Sequence, residues 1–349
     1  VTRVARPLFA AAVVLSTLVA GAVAGDTPRR PLPERAVAIT AHAFPDFRIG
    51  RPADRDFGAL RFVGGFEIEA DTRAVSGLSG LLVREDGAAV TAITDRGVAL
   101  SARVDRDADG RPTGLSSARI RGLETTDPSA FTGFAEADSE GFAHTGAAAG
   151  DRLWISFETV PRIMAGTLGA DGLPGPLTSI DLAEPVRRLR HTKGLEALAY
   201  GPPDDGPLGD RLVAIAERPQ RGVDTGERPG WVLSTDGTEI AAFRLSDSGF
   251  DITDATVGPD GRLWVLERLF TLADGVSTRV RRIDPADIVD GAVIEGEEVL
   301  RADLAHQIDN MEGMDVWTAP DGRTMLSLIS DDNGSFLQRS LYLEFEVVR

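Results

Sequence analysis

Residues 139–162, SEGFAHTGAAAGDRLWISFETVPR, read as an antiparallel strand pair. A polar start (Ser139-Glu140-Gly141) leads into a short apolar run. A Gly-rich turn and a second run, LWISF, follow, and the pair ends on Glu158 with Arg162 just beyond. The same order recurs in SGLSGLLVREDGAAVTAITDRG (76–97), GLEALAYGPPDDGPLGDRLVAIAER (194–218), ITDATVGPDGRLWVLER (252–268) and MEGMDVWTAPDGRTMLSLISDD (311–332). Each copy opens on a polar or acidic residue followed by a small one and closes on an acidic residue, often with a cation after it. Asp-Gly and Pro-Asp-Gly turns at Asp86-Gly87, Asp171-Gly172, Pro259-Asp260-Gly261 and Pro320-Asp321-Gly322 punctuate β-type runs, as hairpins require. Aligned on Gly77, Glu140, Glu196, Asp254 and Glu312, the copies are separated by 63, 56, 58 and 58 residues. A repeat of that length carries one four-stranded propeller blade with long loops. Five spaced copies are not the pattern of a β-sandwich.

The expected fold is therefore an all-β propeller of five blades, with six left open if residues 37–70 build a further sheet. After Asp332 one strand remains, Ser340–Val348, so the last blade lacks a strand. Residues 60–69, LRFVGGFEIE, precede the first copy and can supply it, closing the ring and hiding sheet edges.

Within each copy the start of the first strand and the end of the second meet at one rim. The starts carry Glu140, Glu196, Asp254 and Glu312. The ends carry Asp95, Glu158, Glu217, Glu267 and Asp331, with the cations Arg96, Arg162, Arg218, Arg268 and Lys193 beside them and Arg339 in the last loop. If the first strands line the channel, these carboxylates share its mouth. Crowded carboxylates raise one another's pKa, and a bound cation or Arg/Lys partners relieve the repulsion. Hard oxygen donors favour Ca²⁺ or Mg²⁺. Asp95, Glu140, Glu158, Glu196, Glu217, Glu267, Glu312 and Asp331 are thus the expected metal ligands, with Ca²⁺ as cofactor. Glu140, Glu196 and Glu312 are the expected catalytic carboxylates, and Arg96, Lys193, Arg218 and Arg268 the substrate clamp. His191 and His306 lie five and six residues before Glu196 and Glu312 and are candidate acid–base groups. The competing reading of the same residues is a structural salt-bridge network.

Other signals are weaker. Asp105, Asp107 and Asp109-Gly110 spell half of a calcium loop, but Ser116 stands where the bidentate Glu belongs, so a hairpin tip is expected. There is no Gly-x-Ser-x-Gly elbow, no zinc-spaced His pair and no Gly-rich phosphate loop. Cys is absent, which removes disulfide and thiol chemistry. A net charge of −17 argues against nucleic-acid binding. At the N-terminus Arg3, Arg6, the apolar run Leu8–Ala20 and Ala22-Val23-Ala24 have the layout of an export signal cleaved after Ala24. An uncleaved anchor is the alternative, though the run is short for a membrane span. The expected layout is residues 1–24 signal, 25–36 linker and 37–349 one domain, in the periplasm or secreted, with no membrane insertion after cleavage.

Taken in order, Ser76-Gly77-Leu78, Thr94-Asp95-Arg96-Gly97, Asp138-Ser139-Glu140-Gly141, Lys193-Gly194-Leu195-Glu196-Ala197-Leu198, Asn310-Met311-Glu312-Gly313-Met314, Ser330-Asp331-Asp332-Asn333 and Gln338-Arg339 resemble the bacterial family described as esterase-like activity of phytase. The resemblance spans roughly residues 60–349 and implies phosphoester or carboxylester hydrolysis. It brings no assigned catalytic set. The β-propeller phytases are a looser comparison, with six blades and Ca²⁺ in an acidic central mouth. Two functional classes follow. One is a metal-assisted hydrolase of a small anionic ester. The other is a non-catalytic propeller that recognises a sugar, peptide or envelope component on the same face.

Overall fold

The computed structural model describes residues 31–348, apart from 128–130, 132, 134, 190–193, 204–205, 219–225 and 247–248. His191 and Lys193, like the export-signal region, lie outside the described residues.

Five antiparallel sheets form a five-bladed propeller. The innermost strands are Leu78–Arg84, Ser139–His144, Leu195–Gly201, Asp251–Val257 and Asn310–Thr318, each the first strand of a sequence repeat and each in contact with its neighbours around the ring. The second strands are Ala89–Thr94, Arg152–Phe157, Arg211–Ala216, Leu263–Thr271 and Thr324–Asp331. Blade five is completed as its missing strand demanded. Ser340–Val347 pairs with Leu60–Ala70 along almost its whole length, from Ser340 opposite Ile68 to Val347 opposite Leu60. Ile39–Phe44 adds a further outer strand there. The stretch read as linker is partly built in, since Arg35–Ala36 pairs with Arg119 and Ile120 at the outer edge of blade one.

Hydrophobic side chains fall into five clusters, one between each pair of neighbouring blades. Phe66, Tyr342 and Ile329 of blade five meet Leu81 and Leu100 of blade one. Trp154 of blade two packs into blade three through Trp231, Leu198 and Leu212. Sheet-on-sheet burial of this kind turns the alternating apolar residues of both faces into glue, so each blade is held by its neighbours rather than by a single central core.

Hydrogen bonds stitch the inner strands. Asp254 accepts from the backbone N–H of Ala255 at 2.8 Å and of Met314 in the next blade at 2.7 Å. Asp315 accepts from Val83 N–H at 2.7 Å, joining blade five to blade one. Asp254 is buried, so these two bonds offset a desolvation cost that would otherwise be several kcal/mol.

Candidate metal and substrate site

Every inner strand carries an irregularity at the same place. The pairing slips by one residue between Leu78 and Gly80, Ser139 and Phe142, Leu195 and Ala197, Ile252 and Asp254, and Met311 and Gly313. The additional residues are Ser79, Glu140, Glu196, Thr253 and Glu312. A bulge of this kind re-aims one side chain. The small residue after it also has a physical cause. A Cβ on Gly80 would lie 3.0 Å from the Glu140 carbonyl oxygen, one on Gly141 2.8 Å from that of Glu196, and one on Gly313 3.0 Å from that of Ser79. Glycine lets the inner strands of blades one, two and five press against the bulge of the next blade.

The true register therefore places Ser79 and Thr253 at the position that Glu occupies in the other blades. Their hydroxyls donate to backbone carbonyls of the following blade, Ser79 to Ser139 O at 2.7 Å and Thr253 to Met311 O at 3.0 Å. Asp254, expected at the channel mouth, is one residue off and is the backbone clip described above.

A second ring of positions lies at the ends of the second strands, one residue past the partner of the residue that precedes each bulge. It holds Asp95, Glu158, Glu217, Arg268 and Asp331. Blade four presents Arg268 here, not Glu267. A shift of one residue on a strand moves a side chain to the opposite face. Glu267 accordingly points into its own sheet region, where it accepts from Arg279 Nε at 2.6 Å and from Arg281 Nε and Nη2 at 2.9 and 2.6 Å, fully buried. The expected metal ligand Glu267 is half of a structural ion network.

The remaining carboxylates do converge. Oxygens of Asp138, Glu140 and Glu158 lie within 4.8 Å of one another, and so do those of Glu158, Glu196 and Glu217, with Glu158 common to both groups. Glu312 accepts from the Arg268 guanidinium and, at 2.7 Å, from Asn310 Nδ2. Arg268 also donates to Asn310 Oδ1 and lies 3.6 Å from Glu217. On the far side, Asp331 accepts from Asn333 N–H at 2.6 Å. Asp95 has a buried oxygen without a hydrogen-bond partner, 3.6 Å from Arg96 Nε.

Burial, reinforced by neighbouring carboxylates, pushes Glu140 and Glu196 well above the ordinary range. The same causes raise Glu312 to about 8 even against the pull of Arg268, Asp95 to about 7 and Asp331 to about 6. Burial also raises Asp138, against the Thr159 hydroxyl that donates to it. Carboxylates so crowded hold protons near neutral pH or share a cation. The donor set is all hard oxygen, which fits a divalent ion such as Ca²⁺ and not a soft metal.

Of the other expected residues, Arg218 sits at the edge of the mouth, paired with Asp251 through Nε at 2.6 Å. Arg96 lies beside Asp95. His306 is not at the mouth. It packs against Phe47 and Phe57 and contacts Asp303 Oδ1 at 3.0 Å, in the layer formed by the N-terminal segment. Arg339 is likewise drawn off, to Gln307 Oε1 at 2.9 Å. The Asp105–Gly110 stretch is a hairpin tip, with Asp107 Oδ1 accepting from the N–H groups of Asp109 and Arg111, both at 2.9 Å. Sequence reasoning missed Asp138 and Asn310 as members of the site. Both lie at the position facing the second ring, and a register that admitted the bulge would have put them there.

No helix among the described residues is long and apolar enough to cross a membrane. Solved structures are similar to the chain at low identity. A glucose dehydrogenase is 12% identical, with 81% of this chain and 98% of that one covered, at a TM-score of 0.44. An endo-arabinase from Bacteroides thetaiotaomicron is 13% identical, covering 77% and 94% at 0.46. The β-propeller domain of Cps50 (Swd1) from Myceliophteria thermophila is 11% identical, covering 90% and 100% at 0.40. No curated protein sequence matches the chain. The family profile described as esterase-like activity of phytase matches residues 73–334, three-quarters of the sequence and all five of the bulged inner strands, and the chain belongs to that phytase-like family.

Proposed function

We propose that the protein is an exported hydrolase of phosphoester or other anionic ester bonds, working at the channel mouth with a divalent cation, Ca²⁺, held by the carboxylates. The observation that carries this reading is the pair of three-carboxylate groups sharing Glu158, with Arg268 as the internal counter-charge among the described residues. Asp138, Glu140, Glu158, Glu196 and Glu217 would hold the ion, with Asp95 and Asp331 on the opposite side of the mouth. When bound, such an ion polarises a phosphoryl or carbonyl oxygen and lowers the pKa of water.

The protein's own groups supply the rest. Glu312, which burial and neighbouring carboxylates raise to about 8 in the metal-free mouth, is the group outside the ion's ligand set placed to deliver a proton to a leaving oxygen. Arg268 and Asn310 fix the orientation of that carboxyl by the bonds they donate to it. Arg96 at the edge, and Lys193 from the sequence, would attract the anionic part of the substrate, whereas Arg218 is already held by Asp251. The basic and apolar segments before Ala24 support export to the periplasm or beyond, which N-terminal sequencing of periplasmic material checks.

Hydrolysis of p-nitrophenyl phosphate and p-nitrophenyl acetate, each with Ca²⁺ and with chelator, tests the reading. The expected result is turnover of at least one ester that chelator abolishes and that Glu140→Gln or Glu196→Gln reduces by at least tenfold. Turnover of neither ester, together with no response to Ca²⁺, would leave a binding propeller for a sugar, peptide or envelope component.

A further inference from the structure

Beside the mouth, between blades four and five, lies a cleft of about 760 Å³. One end is polar and continuous with the carboxylate cluster, because Arg268 and Asn310 line both. Arg218 and Asp251 stand next to them. The other end is apolar, walled by Phe270 and Val276 of the blade-four hairpin, by Leu304, and by Leu337 of the loop after the last second strand. Phe270, Leu304 and Leu337 are 66%, 60% and 60% exposed. Large apolar side chains left in water beside a cluster of functional type, and not scattered singly, mark a binding surface.

The charge balance at the polar end narrows the occupant. Arg218 is engaged by Asp251 and Arg268 by Glu312 and Asn310, so neither offers an unopposed positive charge. A polyanion needs several such charges and would meet a chain of net charge −17. A molecule with a single polar or singly charged end and an apolar body matches both ends of the cleft, and the cavity lies in the size range of sites for small organic ligands.

From this continuity we infer that the cleft is the specificity subsite of the enzyme and selects an amphiphilic ester, its reacting end at the channel mouth and its alkyl or aryl chain along Phe270, Val276, Leu304 and Leu337. The inference rests on the hydrolase reading of the mouth and adds the substrate class to it.

Two measurements separate the inference from that reading. The first is kcat/KM for p-nitrophenyl acetate, butyrate, hexanoate and octanoate. Each methylene buried against the wall is expected to raise it by up to about fourfold, until the chain outgrows the cleft. Leu304→Ser combined with Leu337→Ser should flatten this dependence, whereas Ile240→Ser, at another exposed apolar site, on an outer strand of blade three, should leave it as it is. The second is binding of the anionic fluorophore 1-anilinonaphthalene-8-sulfonate, which needs no turnover. The folded protein should bind it, and the Leu304/Leu337 double variant should bind it at least tenfold more weakly. Ester hydrolysis that is indifferent to chain length overturns the inference and leaves the hydrolase reading standing. Absence of all hydrolysis with fluorophore binding lost in the variant keeps the amphiphile subsite and sinks the hydrolase. Fluorophore binding that the double variant does not weaken overturns the subsite.

Discussion

Glu267, fully buried, and Glu312, partly buried, are both glutamates facing arginine, yet their surroundings differ in kind. Around Glu267 two guanidiniums, Arg279 and Arg281, meet one carboxylate, and every oxygen is used. At the channel mouth the proportion is reversed. One guanidinium, Arg268, serves Glu312 and Glu217 while Glu140, Glu196 and Glu158 stand close by. The first arrangement leaves no oxygen of Glu267 unpaired, although Arg279 Nη2 is buried without a hydrogen-bond partner. Among the described residues the second is over-supplied with negative charge, which protons or a cation would relieve. Residue type is thus the same in the two places while burial is deeper around Glu267, and stoichiometry separates a structural network from a candidate site.

The largest expected effect breaks that contrast if it fails. Glu267→Ala leaves Arg279 and Arg281 buried without their carboxylate and should destabilise the fold by about 3–5 kcal/mol. Glu196→Gln in metal-free protein removes a charge from a crowded set and should be neutral or stabilising. Denaturant midpoints of the two variants against the parent, in chelator, measure the difference. Equal losses would mean that the mouth is as structurally committed as the blade-four network.

A cation should stabilise the mouth next most strongly. An ion that binds only the folded chain contributes about 2.7 kcal/mol at one hundred times its dissociation constant, which raises the melting temperature by several degrees. Replacing Glu140 and Glu196 together by Gln should abolish the response to Ca²⁺, and Glu267 variants that still fold should keep it. Thermal scans with Ca²⁺ and with chelator decide the point.

The five blades, their order and the closure by residues 60–69 were legible because turn signals and β-type runs repeat at nearly constant spacing. The rim was legible as well, since a hairpin returns to where it began. What the sequence hid was a single extra residue per inner strand. Aligning Gly77 and Asp254 with Glu140, Glu196 and Glu312 ignores the bulge, and with it the reason that Ser79 and Thr253 tie blades together while Asp254 clips a backbone. The same slip made Glu267 look like a rim residue, although Arg268 occupies that place. His306 was misjudged for a different reason: distance along the chain from Glu312 says nothing about the aromatic pair, Phe47 and Phe57, that captures its ring.

Proton linkage gives a smaller effect that sharpens the contrast. The carboxyls of Glu312, Asp95 and Asp331 have pKa values raised to about 8, 7 and 6, so the folded protein keeps protons that the unfolded chain has released. Their contribution to stability is complete below the unfolded values and is lost as pH rises through the folded ones. In chelator the stability should therefore decline between about pH 5 and pH 8, and Glu312→Gln should remove the upper part of the decline. Ca²⁺ favours the ionised carboxylates and should make the slope shallower. Urea denaturation at several pH values, with and without the ion, gives both slopes. A flat profile in chelator would show that the mouth is already charge-balanced.

The smallest effect concerns the hairpin tip, the other place where aspartates gather. Asp107 there is already satisfied by two backbone N–H donors, those of Asp109 and Arg111, and Asp105 by the Ser116 hydroxyl at 2.6 Å. The loop resembles a calcium site in spelling, but its oxygens are engaged in holding the turn, and the twelfth-position carboxylate is replaced by Ser116. Asp107→Ala should then cost only about 1 kcal/mol, the net worth of exposed hydrogen bonds, and leave the Ca²⁺-induced rise in melting temperature unchanged. Should that single substitution erase the response while Glu140 and Glu196 remain intact, the ion belongs to the hairpin of blade one. The carboxylates of the mouth would then be balanced by protons alone, as their raised pKa values permit.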